Sequence, residues 1–136
     1  MPRILSVNPV GVLLAALAHF FVGFVWYGLV FQEQYFASRG VTADQMGEQS
    51  LWWMLAGFVI SLVIAFGIGL VKTRLRLTRL PETARLGFTL ALLLGVPMTA
   101  YALVYMPAHD LTMFLIDASH ALVGWTIAGA VLSLFD

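Results

Sequence analysis

The chain has 136 residues, 61% of them hydrophobic and 10% charged, with seven basic and seven acidic side chains and a mean hydropathy of +0.93. That composition excludes an ordinary soluble domain, which needs far more charge for its wet faces, and the length suits one domain rather than two. Cysteine is absent, which removes disulfides, thiolate chemistry and cysteine-ligated metals.

The apolar residues fall in four blocks, at about 9–31, 51–71, 86–106 and 111–135. Each is near or above the roughly 20 residues that cross the hydrocarbon of a bilayer. The expected fold is all-α: an integral membrane four-helix bundle, one transmembrane domain over residues 1–136, in contact with lipid.

The first block opens at Asn8-Pro9, a side-chain cap followed by a proline in the first helical turn. Its beginning imitates a signal peptide, with Arg3 as the basic region and Ala16-Leu17-Ala18 as a cleavage site. Apolar character continues without a break to Phe31, so an uncleaved span is expected. The main hydrophilic segment, residues 32–50, follows, and Thr42-Ala43-Asp44-Gln45 has capping-box spacing for a short interfacial helix. The second block leads into the chain's basic cluster, Lys72, Arg74, Arg76, Arg79 and Arg85. In the third block Pro97 removes the hydrogen bond its N–H would give Leu93, so a bend, as a static kink, is expected there. Pro107-Ala108-His109-Asp110 turns the chain into the fourth block, and His109 is expected to be simply solvated.

Lys and Arg placement sets an orientation. With four spans, the basic cluster and Arg3 share one side, and Arg39 alone stands opposite. The positive-inside rule then puts both termini in the cytoplasm of a cell whose inner membrane holds the protein. Trp26, Tyr27, Tyr35, Trp52, Trp53, Tyr101 and Tyr105 gather toward the other face as an outer aromatic belt, leaving Trp125 elsewhere. Anionic headgroups could meet the basic loop, whereas nucleic-acid binding is not indicated.

Small residues recur every fourth position: Gly11 and Ala15; Gly57, Ser61, Ala65 and Gly69; Gly87, Ala91, Gly95 and Thr99; then Ala121, Gly124 and Ala128. Helices in lipid associate through such close backbone approach, so tight packing is expected, within the protomer or in a homo-oligomer.

Ionisable groups inside a span are costly and face protein or water. Asp117, His120 and Gly124 share one face of the last span. Asp117 lies roughly 9 Å and His120 roughly 14 Å from its outer start, while His19 is roughly 15 Å from the inner start of the first span. Both histidines therefore reach the midplane. Ser119 points away from the Asp117 face in an ideal helix. One reading makes Asp117 and His120 polar glue, bonded to each other and to a neighbouring helix. Others are proton or ion handling, a metal held by His19, Asp117 and His120, and a haem between His19 and His120 with Gly23 and Gly124 making room for the ring. A small-molecule or lipid pocket is a further reading. No spacing motif supports a metal, and no cofactor is expected. No nucleophile elbow, phosphate loop or paired carboxylates occur, so no catalytic residue is assigned.

Gly23-Phe24-Val25-Trp26-Tyr27 followed by Phe31, the segment Asp117-Ala118-Ser119-His120-Ala121-Leu122-Val123-Gly124, and Asn8 opening the first helix carry a family resemblance. The chain resembles the domain-of-unknown-function family numbered 1761. That resemblance implies a small, four-span, bacterial-type membrane protein and no established activity; His19 lies outside its motifs. The expected function is a non-enzymatic structural or self-associating membrane subunit, alone or with a membrane partner. The alternative is a proton-coupled small transporter or membrane enzyme using Asp117 and His120.

Overall fold

The computed structural model of the chain describes residues 5–42, 44–45 and 51–135. Arg3, one of the orienting basic residues, and Glu48 in the hydrophilic segment lie outside the described residues. Among those described, every element is helical: α1 (Pro9–Val25), α2 (Gln32–Arg39), α3 (Leu51–Arg74), α4 (Leu80–Leu90), α5 (Val96–Tyr105) and α6 (Leu111–Leu132). A π turn, Trp26–Val30, extends α1, and a second, Ala91–Gly95, joins α4 to α5. Four rods result, Pro9–Val30, Leu51–Arg74, Leu80–Tyr105 and Leu111–Leu132, each long and apolar enough to cross a membrane. The chain is a multi-pass helical membrane protein.

Local chemistry accounts for where the rods begin. The Asn8 side chain accepts from the backbone N–H groups of Val10 (3.0 Å) and Gly11 (3.3 Å), with Pro9 in the first turn. Asp110 caps α6 by accepting from the Met113 N–H at 2.9 Å. The third rod starts at Leu80, before the apolar run at 86, because Pro81 and Glu82 begin a helix inside the polar loop; Glu82 Oε2 accepts from the Arg79 N–H at 3.4 Å. Thr42 and Gln45 make the reciprocal capping-box bonds, at 2.9 and 3.5 Å.

Pro97 is accommodated by the π turn just ahead of it, in which the Val96 N–H reaches back to the Ala91 carbonyl. A wider turn is a common way for a helix to absorb a disrupted ladder. The other π turn closes with the Phe31 N–H on the Trp26 carbonyl at 2.8 Å.

The last span is the hub, packed against all three others. Its approach to α4 is backbone on backbone: a methyl group at Gly87 would collide with the Trp125 carbonyl, and one at Gly129 with the Thr83 carbonyl. Thr83, Ala15, Ala65, Ala91 and Ala128 are fully buried, and Ser61 nearly so. The small-residue runs are therefore used inside the protomer. At the end holding the start of α1, a Cβ at Gly69 would sit 2.8 Å from Val7 Cγ1, and one at Gly11 2.8 Å from Phe135 Cβ. Lys72 also turns inward there. Its Nζ donates to the Leu132 carbonyl at 3.0 Å, placing a cation at the C-terminal end of α6 where the helix dipole favours one.

Gly87→Ala is expected to destabilise the bundle by about 1–3 kcal/mol, the range for overpacking a tight site. Gly67, whose added Cβ would meet nothing within 4 Å, is the control, and Gly67→Ala should be neutral or stabilising by up to ~1 kcal/mol. Equilibrium unfolding in mixed micelles checks both.

Candidate functional site

Two adjacent aromatic residues on the π turn that extends α1 grip α6 from either side. Trp26 Nε1 donates to Ser119 Oγ at 3.0 Å, and Tyr27 OH donates to Asp117 Oδ1 at 2.6 Å. Ser119 and Asp117 leave the helix on different flanks, as their spacing requires. Trp26 and Tyr27 straddle the helix and bind one flank each. The Ser119 hydroxyl in turn donates to the Ile116 carbonyl at 2.8 Å.

Asp117 is held from outside the span as well. His109 Nε2 lies 2.7 Å from Asp117 Oδ2, and each side chain is only 18% exposed. The loop histidine is thus a partner of the intramembrane carboxylate rather than a solvated bystander. This contact escaped the sequence reading because proximity to a loop proline and to Asp110 gives no hint of side-chain direction. The spacing of eight residues between His109 and Asp117 is the one sequence signal, since it spans about two turns.

Asp117 and His120 share a face but not a hydrogen bond. His120 packs against the Tyr27 ring, with centroids 5.1 Å apart, and against the His19 ring at 5.3 Å. The two histidines meet through matching notches. A Cβ at Gly124 would lie 2.9 Å from His19 Cδ2, and one at Gly23 3.3 Å from His120 Nε2. On each helix the glycine follows the histidine by four residues, so the antiparallel pair His19…Gly23 and His120…Gly124 is reciprocal. That pattern was visible in the sequence. The glycines do make room for a ring, but the ring is the opposing imidazole, which leaves no slot between the histidines for a porphyrin. Nor do three His, Asp or Glu side chains converge on one point among the described residues, so His19, Asp117 and His120 do not form the metal triad considered above.

His19 is anchored to the second span: its Nδ1 is 2.8 Å from Ser61 Oγ, whose hydroxyl donates to the Gly57 carbonyl at 3.2 Å. The Nε2 atoms of both His19 and His120 are buried with no hydrogen-bond partner. Between α1 and α3 the rings line a cleft of ≈ 420 Å³ with Gly23, Tyr27, Gly57 and Ser61. Tyr35 and Arg39 of α2 stand at its rim, the guanidinium 5.6 Å above the tyrosine ring. Of the expected packing residues, Gly23, Trp26, Tyr27, Ser61 and Gly124 thus belong to this polar file. Gly57 supports it through a carbonyl, and Gly95 packs elsewhere, against Ala121 and Trp125.

Four apolar rods, with a polar file running where the first and last of them meet, define a small polytopic membrane protein. The chain belongs to the family described as "Protein of unknown function (DUF1761)", whose model matches residues 10–133. No curated protein and no solved structure matches it.

Tyr27→Phe and Asp117→Asn, combined in a double-mutant cycle of micelle unfolding, should show a coupling between about 0.6 kcal/mol, the average for hydrogen bonds between membrane helices, and about 1.7 kcal/mol, the largest measured.

Proposed function

We propose that the protein is a structural membrane subunit whose intramembrane polar residues lock the first and last spans in register. The observation that carries this reading is the direction of the hydrogen bonds. Trp26–Ser119, Tyr27–Asp117 and His19–Ser61 each tie α1 to another span, and Asp117 is clamped further by His109. Groups placed as interhelical ties fix register at modest energy. A second copy or another membrane protein would meet the lipid-facing aromatic and aliphatic side chains, such as Trp52, Trp53 and Val63 of α3, because the glycine and alanine runs are already engaged inside the protomer. In this reading both termini face the cytoplasm of a bacterial inner membrane, supported by the basic loop at residues 72–85 and by Trp52, Trp53, Tyr101 and Tyr105 exposed toward the other end.

The proton-handling alternative has one observation in its favour. His109, Asp117, Tyr27, His120, His19 and Ser61 form a continuous file of polar side chains from the outer loop to the middle of the bundle. The two readings separate cleanly. As a structural lock, Asp117→Asn and His120→Ala lower the unfolding midpoint, and liposomes carrying the native protein show no proton flux above empty ones. A flux abolished by Asp117→Asn with the midpoint unchanged would replace the structural reading.

The orientation has its own test, made simple by the absence of cysteine. Thr78→Cys should resist a membrane-impermeant maleimide in intact cells, and Ala37→Cys should react. The reverse pattern would invert the topology.

A further inference from the structure

One stripe of side chains on α3 changes character along its length. Leu62, Phe66, Gly69 and Thr73 follow at intervals of four and three residues, so they share a helix face, and Arg76 continues the series just past the helix end. Leu62 and Phe66 line an apolar groove with Pro9, Val12 and Leu13 of α1, and Leu13, 45% exposed, opens it to lipid. Thr73 and Arg76 line a polar cavity of ≈ 220 Å³ with Ser6, Asn8 and Lys72. Val7 is a wall of both hollows, seated on the bare backbone of Gly69. From Leu62 to Thr73 the helix rises roughly 16 Å, close to the roughly 15 Å of hydrocarbon in one leaflet.

Arg76 holds its place at the cavity against its own backbone preference. α3 ends in a Schellman turn: the Leu77 N–H donates to the Lys72 carbonyl at 3.1 Å, and the Arg76 N–H to the Thr73 carbonyl at 3.2 Å. The residue that closes such a turn is left-handed and is usually glycine; here it is arginine at φ 55°. Ser6, which lines the cavity from the segment before α1, is also left-handed, at φ 70°. Glycine would serve the turn better, so the turn does not account for the arginine. What arginine adds is a guanidinium at the cavity, a planar fork of donors that matches phosphate oxygens. Lys72, only 5% exposed, places a second cation in the wall.

The start of α1 and the ends of α3 and α6 meet at this cavity. It therefore lies at the edge of the hydrocarbon, the level of lipid phosphates, whichever side of the membrane it faces. Basic pockets between membrane helices at that level take anionic head groups. A free phosphate would use the cavity alone, whereas the apolar groove beyond Val7 suits a hydrocarbon chain. We propose that the two hollows together bind one anionic glycerophospholipid, its phosphodiester on Arg76 beside Lys72 and an acyl chain passing over Val7 into the groove between α1 and α3. Binding is non-covalent. The inference goes beyond the structural role proposed above, and the two can fail independently: the lock is read from unfolding, the lipid site from lipid selectivity.

Native mass spectrometry of the full chain from mild detergent tests this, with three probes titrated separately: phosphatidylglycerol, phosphatidylcholine with the same acyl chains, and glycerol phosphate. Phosphatidylglycerol is expected to bind more tightly than phosphatidylcholine by about fivefold or more, the worth of one basic side chain near an anionic surface. Glycerol phosphate, which has the phosphate but no chains, should bind at least tenfold more weakly than phosphatidylglycerol. Arg76→Gly suits the left-handed turn and so keeps the fold, and it should erase the preference for phosphatidylglycerol. Arg74→Gln removes an equal charge outside the cavity and should leave that preference within twofold. Equal affinity for the two lipids, or equal losses from Arg74→Gln and Arg76→Gly, overturns the proposal in favour of diffuse loop charge. Glycerol phosphate binding as tightly as phosphatidylglycerol overturns it in favour of a free phosphate.

Discussion

Hydrocarbon offers no partner to a polar group, and the bundle is arranged around that fact. A carboxylate, two imidazoles, two serine hydroxyls, a phenol and an indole N–H lie within the spans, and each is tolerated only where another helix meets it. The last span collects most of these meetings. It gives Asp117 to Tyr27 and His109, Ser119 to Trp26, and a ring surface from His120 to both Tyr27 and His19. Between helices that gain little from burying leucine against leucine rather than against lipid, such contacts decide which faces touch.

Contact at this range requires the backbones to come close, and glycine supplies the approach in two distinct ways. On the side facing α4, Gly87 and Gly129 let one helix rest on the carbonyls of the other. On the side facing α1, Gly23 and Gly124 make hollows filled by imidazole rings. The first arrangement leaves no room at all. The second creates a midplane layer in which two aromatic heterocycles replace the aliphatic packing of the rest of the bundle, and in which their nitrogens must still be satisfied.

Much of this was legible in the residues. Block length and hydropathy located four spans, Asn8-Pro9 announced a capped start, and the fourfold spacing of small residues marked the buried faces. The family motif pointed at Asp117 and His120. What escaped was anything depending on where a side chain turns. Trp26 and Tyr27 belong to an aromatic belt by position, yet the π turn beneath them directs both inward. Lys72 counts as a loop cation by composition, yet its long stem carries the ammonium to the end of α6. His109 lies in a polar loop, and only the fold brings it over Asp117. Conversely, the shared face of Asp117 and His120 suggested a bond between them, but helical periodicity fixes direction and not partnership, and Tyr27 is the better-placed donor.

The π turn at Trp26–Val30 has a consequence for the segment beyond it. A π turn holds one residue more than the α turn it replaces, so it works as a phase shifter in the chain. Everything after it is rotated by about 100° relative to an uninterrupted helix. That rotation, together with the break from helical geometry at Phe31 (φ −116°, ψ 29°), sets the azimuth at which α2 leaves the first span, and with it the side of the bundle on which Tyr35 and Arg39 stand. A chain shorter by one residue within this turn would close as regular helix and carry both away from the rim of the cleft. The width of one turn thus determines whether the mouth of the cleft has a cationic lip.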